Sequence, residues 1–173
     1  SVEGTVQSGE LTAEGLELKL YYTRNSYPYE VRYLEQGTGN ELHAPKKESA
    51  KYGQIVLEEA VEIEHYERVT ASPQTLNIKV EEDEKEAKLN ILIFYYQEKQ
   101  ATINYVAVGP EGYNEDGTPK ETVAGKVEPN SEAVKVLSGN ANGSTATAEA
   151  PTYRFAGWYD SEGNLLSMDA KYT

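Results

Sequence analysis

Few residues in this chain could do chemistry, and they bound its functional range. It carries two histidines, His43 and His65, and no cysteine. A serine nucleophile needs Ser, His and an acid converging, and no Gly-x-Ser-x-Gly elbow is present to expose the serine. Composition excludes a thiol nucleophile, a thiolate metal site and a disulfide. Zinc wants three or four ligands at defined spacing, which two isolated histidines do not supply. His43 falls in a polar stretch and His65 stands beside Tyr66 at the start of an extended segment, so each reads as a solvated or sheet-packed side chain. The 29 acidic residues leave a carboxylate pair for glycoside hydrolysis open, but no spacing places two of them in one pocket. The acidic run at 81–86, EEDEKE, lacks the glycine and the fixed acid spacing of a calcium loop and reads as a solvated turn. No glycine-rich phosphate loop occurs. The expectation is a non-enzymatic chain with no metal and no cofactor.

What remains is aromatic. The chain has 14 Tyr against 2 Phe and 1 Trp. Tyrosine buries its ring while the hydroxyl stays wet, which suits thin sheets with one solvated face. Rings also stack on sugar faces, and Trp158, Tyr159 and Tyr153 form the group that could contact a glycan. Core packing is the competing reading for Trp158. A regular strand over YRFAGWY puts Phe155 and Trp158 on opposite faces, and Gly157 could bulge it.

The net charge of −13 disfavours nucleic acid, whose phosphates need Lys and Arg, and anionic membrane surfaces. No apolar run approaches the length of a membrane span, so membrane insertion is not expected.

The segment that organises these residues is Lys88–Val108. It reads as a strand ending in aromatics, a short charged joint, and a new strand. The same arrangement occurs a domain's length earlier, at Leu18–Leu34, where Tyr21-Tyr22 matches Tyr95-Tyr96, and Val31 and Tyr33 match Ile103 and Tyr105. A joint recurring at that spacing is what tandem modules show when one unit's last strand runs into the next unit's first. Residues 1–23 read as the C-terminal hairpin of a preceding repeat, 24–98 as one complete repeat, and 99–173 as a second β-rich repeat truncated near its C-terminus. Within 24–98, strands are expected at 29–34, 41–45, 55–63, 76–80 and 89–96, with a hairpin tip at 81–88. Within 99–173, strands are expected at 102–108 and 153–159, with short ones around Val123, Val127, Val134 and Val136. A flexible polar loop is expected at 138–148 and a turn at 160–164. The fold class is mostly β, or β-rich α+β, with the units in an elongated arrangement.

Tyr29–Leu42, YEVRYLEQGTGNEL, resembles the opening of MucBP-type repeats of Gram-positive surface proteins. Lys46–Gly53, His65-Tyr66 (where that family often carries Gly-Tyr) and Ile91–Tyr96 continue the likeness. The second unit, through ATINYVAVG at 101–109 and YRFAGWYDSEGN at 153–164, is similar to Listeria–Bacteroides-type surface repeats of Firmicutes adhesins. The resemblance implies β-grasp, ubiquitin-like tandem modules. It implies a secreted, wall-anchored parent protein, with the chain a monomer within that longer polypeptide. It further implies a role as a stalk or spacer in adhesion, or as a binder of host mucin or glycan.

Overall fold

The computed structural model describes residues 19–82, 85–120 and 124–173. Among them there is no helix: every regular element is a strand. The mostly-β expectation therefore holds, without an α component. The chain divides into two compact units. One takes the described residues up to Ile63 together with Arg68–Tyr96, and the other takes Glu64–Glu67 and Gln97–Thr173.

The first unit is built on strands β1 (Ser26–Glu35), β2 (Glu41–Lys51), β3 (Ile55–Glu58), β5 (Gln74–Asn77) and β6 (Ile91–Glu98), with β4 (Tyr66–Arg68) and the last two residues of β6 crossing the division between the units. Its main sheet has the order β2-β1-β6-β4. β1 and β2 form an antiparallel hairpin closed by residues 36–40. Gly37 and Gly39 take positive φ there, and the Gly39 N–H returns to the Glu35 carbonyl at 2.9 Å. β1 and β6 pair in parallel, in register from Glu30 opposite Ile91 to Glu35 opposite Tyr96. Because side chains alternate along a strand, the parallel register turns Tyr29, Val31 and Tyr33 to the same side as Leu92, Phe94 and Tyr96. All six are buried, and the Tyr33 and Phe94 rings stack at 6.1 Å. Burial of each such side chain stabilises the unit by about 2 kcal/mol. β3 and β5 make a separate antiparallel ribbon. Its Val56, with Ile78 just beyond it, adds to the core.

The 81–88 segment is not a hairpin tip, because β5 pairs with β3 while β6 sits between β1 and β4. Nor is Glu81 solvated: it is buried. Its Oε1 accepts the backbone N–H groups of Lys88 at 3.0 Å, Leu89 at 2.6 Å and Asn90 at 2.9 Å. The lead-in to β6 carries amides with no strand partner, and a buried carboxylate satisfies them. Asp83 and Glu84 of the same run lie outside the described residues. So do residues 1–18 of the expected N-terminal hairpin. Residues 19–23 of it are exposed and carry no strand.

The second unit contains β7 (Gln100–Asn104), β8 (Gly125–Glu128), β9 (Ser131–Lys135), β10 (Ser144–Ala148), β11 (Trp158–Tyr159), β12 (Leu165–Ser167) and β13 (Lys171–Tyr172). β7 pairs with β9, and β11 with β12. The remaining three make a sheet in the order β13-β10-β8. β10 lies within the stretch expected to be a flexible loop. Its sequence, STATA, has too little apolar contrast to announce a strand, yet alternating β-branched threonine fits a pleated surface well. Of the expected strand at 153–159, only Trp158 and Tyr159 pair. The expected turn at 160–164 is present: Asp160 Oδ1 accepts from the backbone of Glu162 at 2.9 Å and of Asn164 at 2.8 Å.

Candidate functional site

Of the residues proposed to meet a sugar, Trp158 and Tyr159 form β11, paired with β12, and Tyr153 precedes them in the chain. Trp158 is half-buried, and three rings surround it. Tyr105 meets it at 5.8 Å, Phe155 at 6.0 Å and Tyr172 at 5.7 Å, each edge-on or tilted. The indole N–H points to the Ala170 carbonyl at 3.3 Å. These four rings come from three segments of the chain, around Tyr105, Phe155–Trp158 and Tyr172, so the cluster is a small core. Phe155 and Trp158 share a face, against the alternation of a regular strand. Gly157 at φ 140° and a register shift between Trp158 and Tyr159 account for this. Tyr159, opposite Leu165 on β12, is 53 % exposed. Tyr153 is half-buried, with its N–H on the Glu149 carbonyl at 2.9 Å. Sequence reasoning singled out Trp158 and weighed Phe155 beside it, but did not bring Tyr105 and Tyr172 to the cluster. The Val-x-Tyr and Ile-x-Tyr pattern, whose tyrosines Tyr33 and Tyr105 are both buried, was the available signal.

The ring cluster is framed by a carboxylate. Glu132 on β9 accepts the Tyr105 hydroxyl at 2.6 Å. It also accepts the backbone N–H groups of Asn142 and Gly143, both at 2.9 Å. The Tyr105 hydroxyl, followed by these amides, holds the Glu132 carboxyl down at about 2. Burial and the facing Glu132 push Tyr105 up to about 12. A second carboxylate of this kind is Glu98, buried at the end of β6. It accepts the Ser138 hydroxyl at 2.6 Å and the Ser138 N–H at 2.7 Å, and it also bonds the Leu137 N–H. The Ser138 hydroxyl and these backbone donors lower its pKa.

In the first unit the fold brings two carboxylates together, which the sequence alone did not place. The Tyr29 hydroxyl lies 2.7 Å from Glu58 and 2.8 Å from Glu48. Lys46 Nζ reaches both oxygens of Glu58, at 3.0 and 2.8 Å, and stands 3.5 Å from Glu48. Tyr29 and Glu48 are direct cross-strand partners, and Glu58 arrives from β3. Burial, then the bonds to Glu58 and Glu48, raises the Tyr29 phenol well above its ordinary range. An acid–base pair needs its substrate between the carboxyl groups. Here a phenol and an ammonium occupy that space and tie β1, β2 and β3 to one another. Among the described residues, no buried side-chain nitrogen or oxygen lacks a hydrogen-bond partner.

The histidines lie apart from these clusters. His43 is exposed, with Nδ1 2.9 Å from the Ala44 carbonyl and its ring edge-on to Tyr33 at 5.2 Å. His65 takes φ 64°, a left-handed conformation rare for a side-chain-bearing residue. Its carbonyl accepts the Lys99 N–H at 2.9 Å. The chain matches no protein-family model, no curated protein and no solved structure.

Proposed function

We propose that this chain is a non-catalytic, tandem-repeat module of a bacterial cell-surface protein, acting as a stalk or spacer in adhesion. The observation that carries the reading is the parallel pairing of β1 and β6 at the centre of the first unit's sheet. Parallel neighbours place the beginning of one strand and the end of the other at opposite ends of their shared ladder. A module threaded this way passes the chain through itself, as a spacer must. A single residue, Lys99, separates β6 from β7, which leaves little free linker. The β-grasp reading of the first unit draws on the same mixed sheet alone, since no helix lies among the described residues. On this reading the parent protein lies outside the cell, anchored to the wall. The non-catalytic part is supported by Glu48 and Glu58, both already engaged by Tyr29 and Lys46.

A glycan- or mucin-binding reading draws on the exposed Tyr159 ring beside Trp158, with Tyr153 nearby in sequence. Binding of the chain to immobilised mucin, before and after enzymatic removal of the glycans, separates the two. The spacer reading expects no saturable binding at high micromolar concentration. Saturable binding that disappears with the glycans and weakens in Trp158→Ala would replace it with the lectin-like reading. Tyr159→Ala belongs in the same experiment, because its exposed ring can be removed without opening the four-ring cluster.

A further inference from the structure

A stalk is pulled, and a module in it feels the pull where the chain enters and leaves. In the first unit those places are β1 and β6. Tension applied before β1 and after β6 runs along both strands and stretches their shared ladder lengthwise. All of its hydrogen bonds then carry load together. Had the two strands been antiparallel, the pulled ends would lie side by side and the ladder would open one bond at a time. We propose that the β1–β6 ladder is a tension-bearing clamp, and that resisting mechanical extension is what this module contributes to its parent protein.

Three features fit the task. The ladder is bracketed by backbone bonds at both ends, Glu30 N–H to the Asn90 carbonyl at 2.9 Å and Gln36 N–H to the Tyr96 carbonyl at 2.8 Å. One face is sealed by Val31, Tyr33, Leu92, Phe94 and Tyr96, so water is kept from bonds it would otherwise replace as they stretch. The lead-in to β6 is anchored as well. Asn90, fully buried, donates its side-chain amide to the carbonyls of Pro28 at 3.2 Å and Lys79 at 2.9 Å, and accepts the Lys79 N–H at 2.8 Å. The biological use of the clamp rests on the spacer reading. The clamp itself is a property of the ladder and is measured separately.

The chain has no cysteine, so two introduced cysteines are unique handles for single-molecule pulling of the full chain. The first pair is Asn25→Cys with Lys99→Cys, which flank β1 and β6 and pull the ladder lengthwise. The second is Asn25→Cys with Leu89→Cys, which lie at the same end of the ladder and peel it open. All three positions are exposed, so both variants fold, and their unforced stabilities serve as the control. Forced rupture is governed by the unfolding rate along the pulled direction. The lengthwise pair is expected to need several times the force of the peeling pair at the same pulling speed. Equal forces, or a stronger peeling geometry, would overturn the clamp and leave the spacer reading intact. Glycan-dependent mucin binding would overturn the spacer reading and leave this comparison unchanged.

Discussion

Gly143 has no room for a side chain. A Cβ there would lie 1.6 Å from the Tyr172 carbonyl oxygen, and the residue sits at φ 83°. Its N–H is also one of the donors on Glu132. Gly143→Ala therefore has to move β13 away from β10, and a cost of about 3 kcal/mol or more is expected. Gly37 has a similar φ of 90° but open space around it, so Gly37→Ala should cost only about 1 kcal/mol. Trp158, the sole tryptophan, reports the second unit by its emission, and urea titration followed there checks the first figure. Circular dichroism checks the second. His65 makes the opposite case, since a side chain already occupies a left-handed position. His65→Gly relieves that strain but frees the unfolded chain, for a net gain of up to about 1 kcal/mol. His65→Val should lose stability instead. Acid sensitivity also belongs at this scale. Glu132 has its carboxyl lowered from 4.5 to about 2 by folding. Its contribution is fully present above the unfolded value and is lost as pH falls toward the folded one. Glu132→Gln should flatten the fall in second-unit stability between about pH 5 and about pH 3. Glu98, also lowered, keeps some slope in the variant. An unchanged slope would place the acid sensitivity elsewhere.

At the scale of elements, the strands most readily seen in the sequence were those whose alternation has high contrast. Tyr29, Val31 and Tyr33 announce β1, and the apolar run before Tyr96 announces a central strand. The turns at 36–40 and 160–164 announce themselves by glycine and Asx chemistry. Elements held by polar bonds did not show. β10 alternates threonine with alanine, and Glu81 hides a three-amide cap inside a run of like charges. Neither hydropathy nor charge pattern encodes where a carboxylate will bend back to. The Trp158 cluster was half visible: Phe155 stands in the same stretch, but Tyr105 and Tyr172 come from separate segments and only the fold joins them. Asn90 is the sharpest instance, an ordinary polar residue before an apolar strand that holds two backbone segments. Asn90→Asp replaces a donor to two carbonyls with an acceptor facing them. The expected loss is about 3 kcal/mol, read by thermal denaturation and by faster amide exchange along β6. Asn90→Asp should recover partly at low pH, where the protonated carboxyl can again donate.

Considered as a whole molecule, the two units differ in how their strands would meet a pull. In the first, the initial and final strands are direct parallel neighbours. In the second, among the described residues, β7 pairs with β9 while β13 pairs with β10, all antiparallel. No described ladder joins the second unit's first strand to its last. Its last described strand, β13, is held by two register pairs, Ser144 with Tyr172 and Thr145 with Lys171. Tension at that end peels a short antiparallel pair, so the second unit should yield first. Stretching the full chain between Asn25→Cys and Thr173→Cys is therefore expected to give two ruptures of unequal force. The weaker should come first and release a contour length on the order of 25 nm. Gly143→Ala, which loosens β13, should lower the first force and leave the second unchanged. A single rupture, or a first event insensitive to Gly143→Ala, would mean that the strand pairing within each unit does not set the order in which they fail.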